Sequence, residues 1–267
     1  MSEAGERIDA LLALMARLRD PLHGCPWDRA QDFASIAPHT IEEAYEVAEA
    51  IAGGKPAPLR DELGDLLFQV VFHAQLARER GWFDFPAVTA GIHDKLVRRH
   101  PHVFEPGSTA SAADWDAHKQ RERAAHGQVG ALAGVPQALP ALTRAAKLAR
   151  RAAQVGFDWP DEASVRPKIA EELRETEEAV AGGEREAVAE ELGDLLFAIV
   201  NWARHLGIDA EQALRAANGK FERRFAAMER LRGERRAPGT DSQGAEADRV
   251  SPQEWAALWN EVKANDR

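Results

Sequence analysis

Residues 42–68 read EEAYEVAEAIAGGKPAPLRDELGDLLF, and residues 171–197 read EELRETEEAVAGGEREAVAEELGDLLF. The two stretches align without a gap at an offset of 129, and fifteen of the 27 positions are identical, against about two expected from average composition. Such self-similarity marks a duplicated structural unit. Each copy has a Glu-Glu-x-x-Glu helix, a Gly-Gly break and a Glu-Leu-Gly-Asp-Leu-Leu-Phe helix. Glycine after the first helix suits the left-handed conformation that ends helices, so each copy is expected to fold as an antiparallel helical hairpin.

The spacing within the hairpin carries the chemistry. Glu43 and Glu46 are three residues apart and share a helix face, as do Glu62 and Asp65. Residues equally distant from a hairpin turn lie level with one another. The pairs Glu46 with Glu62 and Glu43 with Asp65 both centre on Gly54, and in the second copy Glu175 with Glu191 and Glu172 with Asp194 both centre on Gly183. Four carboxylates are therefore expected to converge, once per copy.

Packed carboxylates repel and raise one another's pKa unless a cation neutralises them. An all-oxygen ligand set selects hard divalent ions, Mg²⁺ with Mn²⁺ as substitute, and not zinc, which prefers His and Cys. A carboxylate-held Mg²⁺ usually completes its shell with water and substrate phosphates. An EExxE helix is ordinarily just a solvated acidic face, but the mirrored pairing found twice favours the metal reading. A di-iron bundle would need Glu-x-x-His pairs, and the second helix here carries Glu-x-x-Asp.

Basic groups follow in both copies: Lys95, Arg98 and Arg99 in the first, Lys220, Arg223 and Arg224 in the second, with the same Lys-x-x-Arg-Arg spacing. On a helix such residues share a face and can clamp a polyphosphate. Lys168 lies four residues before Glu172 and points the same way, where the first copy has His39. A W-x-x-x-K echo, Trp115/Lys119 and Trp259/Lys263, offers an aromatic for stacking on a base, although core packing is the commoner fate of tryptophan.

Apolar residues at three- and four-residue spacing dominate the rest of the chain, and strand-like alternation is scarce, which predicts an all-α protein. Helices are expected up to Leu18, from near Pro38 to Gly53, from about Arg60 to Arg80, from after Asp84 to Arg99, and then over 140–155, 164–181, 184–206, 209–231 and 255–263. The breaker-rich stretch 126–137 is expected to link an N-terminal domain, 1–125, to a C-terminal one, 138–267, and the polar stretch 233–249 to form a mobile loop. The 267 residues carry 34 Lys+Arg against 44 Asp+Glu, a net charge of −10, which argues against nucleic acid as a partner. A single cysteine, Cys25, cannot form an internal disulfide, and neither a signal peptide nor a membrane span is legible, so a cytoplasmic protein with no membrane partner is expected.

The acid motifs, GCPWD at 24–28, the ELGDLLF and NWARHLG stretches (residues 191–197 and 201–207) and KFERRF at 220–225 resemble the MazG-type nucleoside triphosphate pyrophosphohydrolases over nearly the whole chain. The resemblance implies tandem all-α MazG-like domains, a homodimer, Mg²⁺ dependence, ATP or another nucleoside triphosphate as ligand, and hydrolysis of NTPs and dNTPs to monophosphate and pyrophosphate. It implies metal ligation by Glu172, Glu175, Glu191 and Asp194, with Glu43, Glu46, Glu62 and Asp65 as a second set. Nucleotide contacts map onto Lys168, Glu171, Glu172, Lys220, Glu222, Arg223, Arg224 and Trp259. It also places the main activity in the C-terminal copy, which has Lys168 and Asn201 where the first has His39 and Phe72; Asn201 joins the expected substrate contacts, and Glu171 is placed to orient or deprotonate a water. The alternatives are a narrower dUTP- or dCTP-type pyrophosphohydrolase and a non-catalytic metal-binding interaction protein. No P-loop motif is present.

Overall fold

Helix starts are fixed by caps, and the caps repeat with the hairpins. The Asp32 carboxylate accepts from the Ala34 and Ser35 N–H groups while the Ser35 hydroxyl accepts from the Asp32 N–H at 2.8 Å. This capping box starts a helix at Phe33. The Asp161 carboxylate likewise accepts from the Ser164 N–H at 2.8 Å. Asp32/Asp161, Ser35/Ser164 and Pro38/Pro167 all obey the offset of 129, so the duplication extends ten residues further upstream than its acid motif.

The computed structural model describes residues 2–104, 130–235 and 251–265, and among these residues the structure is helical, without strands. Two compact units, Met1–Gln120 and Arg121–Arg267, divide the chain. Unit 1 contains α1 (Glu3–Leu18), α2 (Pro26–Ala30), α3 (Phe33–Gly53), α4 (Pro56–Glu79), α5 (Phe85–Arg99) and α6 (Pro101–Phe104). Unit 2 contains α7 (Ala141–Ala153), α8 (Glu162–Gly182), α9 (Arg185–His205), α10 (Ala210–Arg235) and α11 (Pro252–Asn265). The α3/α4 and α8/α9 pairs are the expected hairpins, closed by Gly54 and Gly183 at φ +65° and +78°, where a Cβ would be strained.

Several boundaries differ from the sequence reading. Helix α3 begins five residues before Pro38, because the Asp32 cap outweighs the proline, which then forgoes one backbone bond in the second turn. Helix α4 begins at Pro56 and not near Arg60, with proline in its favoured first-turn place. Gly233–Arg235 belong to α10 and not to a loop, and Arg235 pairs with Glu261 of α11 at 2.6 Å. Of the expected linker, residues 130–137 form turns held by Arg151 of α7, which donates to the Ala131 and Ala133 carbonyls. Residues 126–129, residues 236–249, Trp115 and Lys119 lie outside the described residues.

In unit 1 the core is Met15, Ile36, Val71, Phe72 and Leu76, flanked by Leu11, Leu12, Phe33, Phe68 and Phe85. The stripe of α1 thus seals one face of the α3/α4 hairpin. In unit 2 α10 packs on α11 through Met228, Leu258 and Val262, with Leu231, Trp255 and Trp259 around them. No helix among the described residues is long and apolar enough to cross a membrane.

The GCPWD segment is a structural joint. A Cβ on Gly24 would collide with the backbone of Leu18 and Asp20, so only glycine fits. Arg19, whose side chain is 8% exposed, forms a two-pronged pair with Glu79 at 2.8 and 2.7 Å and also donates to the Asp28 and Gln31 carbonyls. One guanidinium therefore ties α1, α2 and α4 together. Those bonds hold the Glu79 carboxyl below its ordinary pKa. The stabilisation from this lowered pKa is present above the usual carboxylate range and is lost as pH falls through the lowered value. Arg19→Met is expected to cost about 2–4 kcal/mol in urea unfolding at neutral pH and to remove that part of the acid sensitivity; an unchanged unfolding midpoint would contradict the joint.

Candidate metal and phosphate site

Each hairpin brings three glutamates together. One carboxylate oxygen each of Glu172, Glu175 and Glu191 lies within 4.8 Å of the other two, and Glu43, Glu46 and Glu62 form the same group in unit 1. Asp65 and Asp194 stand at the margin of these groups, exposed, and act on them through charge. From the same helix face, aspartate reaches one methylene less far than glutamate. The structure thus assembles three of the four expected carboxylates as a close set and keeps the fourth beside it.

The electrostatics are those of crowded, partly desolvated carboxylates. Desolvation raises the pKa of Glu191, and the Glu175, Glu172 and Asp194 charges raise it further. Glu43 is raised by burial, then by Asp65 and Glu46, and Glu62 by desolvation, then by Glu46 and Asp65. Glu172 is only 5% exposed. Its Oε1 receives the Lys168 ammonium at 2.6 Å, whereas its buried Oε2 has no protein partner. An orphaned carboxylate oxygen in a buried site calls for a ligand, and an all-carboxylate set beside it has the chemistry of a hard divalent ion. Lys168 also reaches Glu171 at 2.9 Å, and both contacts hold its pKa above the ordinary lysine value, Glu172 contributing most. Lys168, Glu171 and Glu172 are therefore one constellation, as the four-residue spacing predicted.

Asn201 is 1% exposed. Its Oδ1 accepts from the Arg204 guanidinium at 2.8 Å, which leaves the Nδ2 donor buried without a partner. Arg204 is held in turn by Asp158, which also receives His205 at 3.0 Å. Sequence reading singled out Asn201 by its Phe72 counterpart but missed the Asp158–Arg204–His205 support, because Asp158 lies outside the repeated motif. It missed Gln69 too, buried with an unpartnered Oε1; its register, seven residues after Glu62 on one helix face, was the available signal.

The α10 residues sit in a different setting. Arg224 lies over the Trp259 ring at 5.7 Å, Phe221 packs against the same ring at 5.8 Å, and Arg223 and Arg224 border a groove between α10 and α11. Among the described residues lining that groove, none is an acid of the α8/α9 cluster. Lys220 and Glu222 are exposed on the same helix. Within the described residues, Lys168 pairs with Glu172 and Arg174 pairs with Glu175 at 3.3 Å, and Trp259 is half-buried in an aromatic cluster.

Comparison with known proteins bears on this geometry. The profile of the MazG nucleotide pyrophosphohydrolase domain matches residues 31–104 and 161–227. The chain is 49% identical over 266 residues to the nucleoside triphosphate pyrophosphohydrolase of Escherichia coli strain K12, covering 97% of this chain and 98% of that protein. It is 46% identical over 231 residues to the nucleoside triphosphate pyrophosphohydrolase/pyrophosphatase MazG of Thermotoga maritima, covering 86% and 89%. The uncharacterised protein YabN of Bacillus subtilis is 39% identical over 260 residues, 96% of this chain and 51% of that protein.

Because the ionised cluster opposes folding, Glu191→Gln is expected to raise the melting temperature by a few degrees at neutral pH in chelator. A carboxyl with a raised folded-state pKa weakens the fold only where it is ionised, so the gain shrinks as pH falls through that raised value and is gone below the ordinary carboxylate range. Calorimetry at neutral pH and below that range checks this. A variant less stable at neutral pH would show that the cluster is not repulsive.

Proposed function

The chain belongs to the MazG nucleotide pyrophosphohydrolase family, and on that premise we propose that it hydrolyses nucleoside triphosphates, ribo and deoxy alike, to the monophosphate and pyrophosphate at the α8/α9 cluster of unit 2. The observation that carries the reading is the buried Glu172 carboxylate, one oxygen on Lys168 and the other unpartnered, inside a three-glutamate group.

Glu172, Glu175 and Glu191, with Asp194 beside them, would hold Mg²⁺, for which Mn²⁺ could substitute. Such an ion, when bound, polarises phosphoryl oxygens and offsets charge on the leaving pyrophosphate. The chain's own groups supply the rest. The Lys168 ammonium lies where it offsets polyphosphate charge next to the cluster. The Glu171 carboxylate, held at 2.9 Å by Lys168, accepts the proton of the attacking water. The Asn201 Nδ2, fixed by Arg204, donates to an acceptor on the nucleoside; a single oriented donor of this kind is also what a narrower dUTP- or dCTP-type specificity would use. Lys220, Arg223 and Arg224, with Glu222 beside them, form the basic face that screens the phosphate chain, and the half-buried Trp259 would stack on a base if the Arg224 guanidinium over its ring moved to the phosphates.

The reading includes a cytoplasmic homodimer. Exposed Leu173, Leu192, Leu196 and Phe197 of α8 and α9 form an apolar surface that a second copy would cover.

Glu172→Gln and Asp194→Asn are expected to lower pyrophosphate release from an NTP panel by about 10²–10³-fold, with helical circular dichroism unchanged, while Glu186→Gln, an exposed acid of α9 outside the cluster, retains it. Wild-type turnover surviving both cluster substitutions would move catalysis elsewhere. A wild type without turnover, binding metal alone, would favour the non-catalytic interaction protein.

A further inference from the structure

The two units fill the C-terminal half of their second hairpin helix in opposite ways. At the offset of 129, Phe72, Gln75 and Leu76 of α4 correspond to Asn201, Arg204 and His205 of α9. Phe72 and Leu76 belong to the hydrophobic core of unit 1. In unit 2 the same positions carry a polar chain. The Arg204 guanidinium donates to Asn201 Oδ1 at 2.8 Å and to the Asp158 carboxylate, and His205 lies 3.0 Å from that carboxylate. Asp158 is not part of the hairpin. It sits in the turn between α7 and α8, where its Oδ1 also accepts from the Trp159 N–H at 2.9 Å. The Gly156 and Phe157 N–H groups tie that turn to the Ala153 and Ala152 carbonyls of α7. A buried polar chain in place of an apolar core costs stability unless every member is satisfied, and Asn201 Nδ2 is buried without a partner.

The Asp158–Arg204 pair decides which end of the amide is left over. A guanidinium can only donate, so the amide must turn Oδ1 toward it and Nδ2 away. Asn201 shares one face of α9 with Glu191 and Asp194, ten and seven residues before it, and so stands about 10 Å along the helix from Asp194. That is beyond the reach of a phosphate held at the acids and within the length of a nucleotide. We infer that Asp158 and Arg204 are positioning residues through which unit 2 reads the nucleoside part of its substrate. They hold Asn201 Nδ2 as a donor to a nucleoside acceptor, and they take no part in holding the phosphates. The inference rests on the pyrophosphohydrolase reading of unit 2 and adds the device by which a nucleotide is told from a bare polyphosphate.

The test is AMP formation from ATP by the full chain, with inorganic tripolyphosphate as competitive inhibitor. Asp158→Asn and Arg204→Met are each expected to raise KM for ATP roughly tenfold, the equivalent of one lost hydrogen bond, with the inhibition constant of tripolyphosphate unchanged. Asn201→Asp keeps an acceptor for the guanidinium but has no donor, so it is expected to raise KM as far although the fold is no less stable. Adding Arg204→Met to Asn201→Leu is expected to cost nothing more, because the pair acts through the amide. Should Arg204→Met fail to fold, Asp158→Asn and Asn201→Asp carry the test. ATP and tripolyphosphate weakening together, KM unchanged in Asp158→Asn or Asn201→Asp, additive losses in the double variant, or a wild type indifferent to tripolyphosphate would overturn the inference. AMP formation by the wild type with any of those results keeps the functional reading and removes this one, whereas a wild type that forms no AMP removes both.

Discussion

Three glutamate oxygens held within 4.8 Å of one another repel, and each hairpin is organised around keeping them there. Desolvation first, and the neighbouring carboxylates after it, raise the pKa values of Glu43, Glu62 and Glu191. Opposing the repulsion are features that do not touch the acids. Aspartate caps fix where α3 and α8 start, left-handed glycines fix where they end, and the apolar faces of α4 and α9 lock the register. If the register slipped by one residue, the level pairs would no longer meet. The sequence duplicates caps, turn and acid face as one block because the acid geometry depends on all three.

The duplicated frames then diverge where they meet the outside. Unit 2 carries Lys168 on Glu172 and a buried Asn201 whose orientation is set by Arg204 and Asp158. Unit 1 fills the same positions with His39 and Phe72, the latter part of its hydrophobic core, and adds Gln69. A core phenylalanine in place of the buried polar asparagine leaves no side-chain donor at that level and adds to the core packed by α1. The Arg19–Glu79 joint, which ties α1, α2 and α4 together, lies in unit 1.

Much of this was legible before any coordinates. The gapless repeat and the arithmetic of midpoints gave the hairpins, the converging glutamates and the Lys168–Glu172 contact, because helix geometry converts spacing directly into faces. Side-chain reach is not in that arithmetic, so Asp65 and Asp194 were placed on equal terms with the glutamates although they stand at the margin. Proline misled at α3, since a favourable first-turn residue at Pro38 competed with a better cap at Asp32. The basic residues of α10 follow the acids' helices in sequence, yet sequence order says nothing of distance: Arg223 and Arg224 border the α10/α11 groove, with Arg224 over Trp259. Gln69 was overlooked because a glutamine in an apolar run has no periodicity of its own, and only burial reveals that its oxygen is unpaired.

The central claim is that these carboxylates serve cleavage between the α- and β-phosphates of a nucleotide. Phosphorus NMR of the wild-type protein with an NTP and Mg²⁺ tests it most directly. The account predicts nucleoside monophosphate and pyrophosphate appearing in equal amounts, and no reaction when the ion is chelated. Nucleoside diphosphate with orthophosphate, or turnover indifferent to chelation, would contradict it.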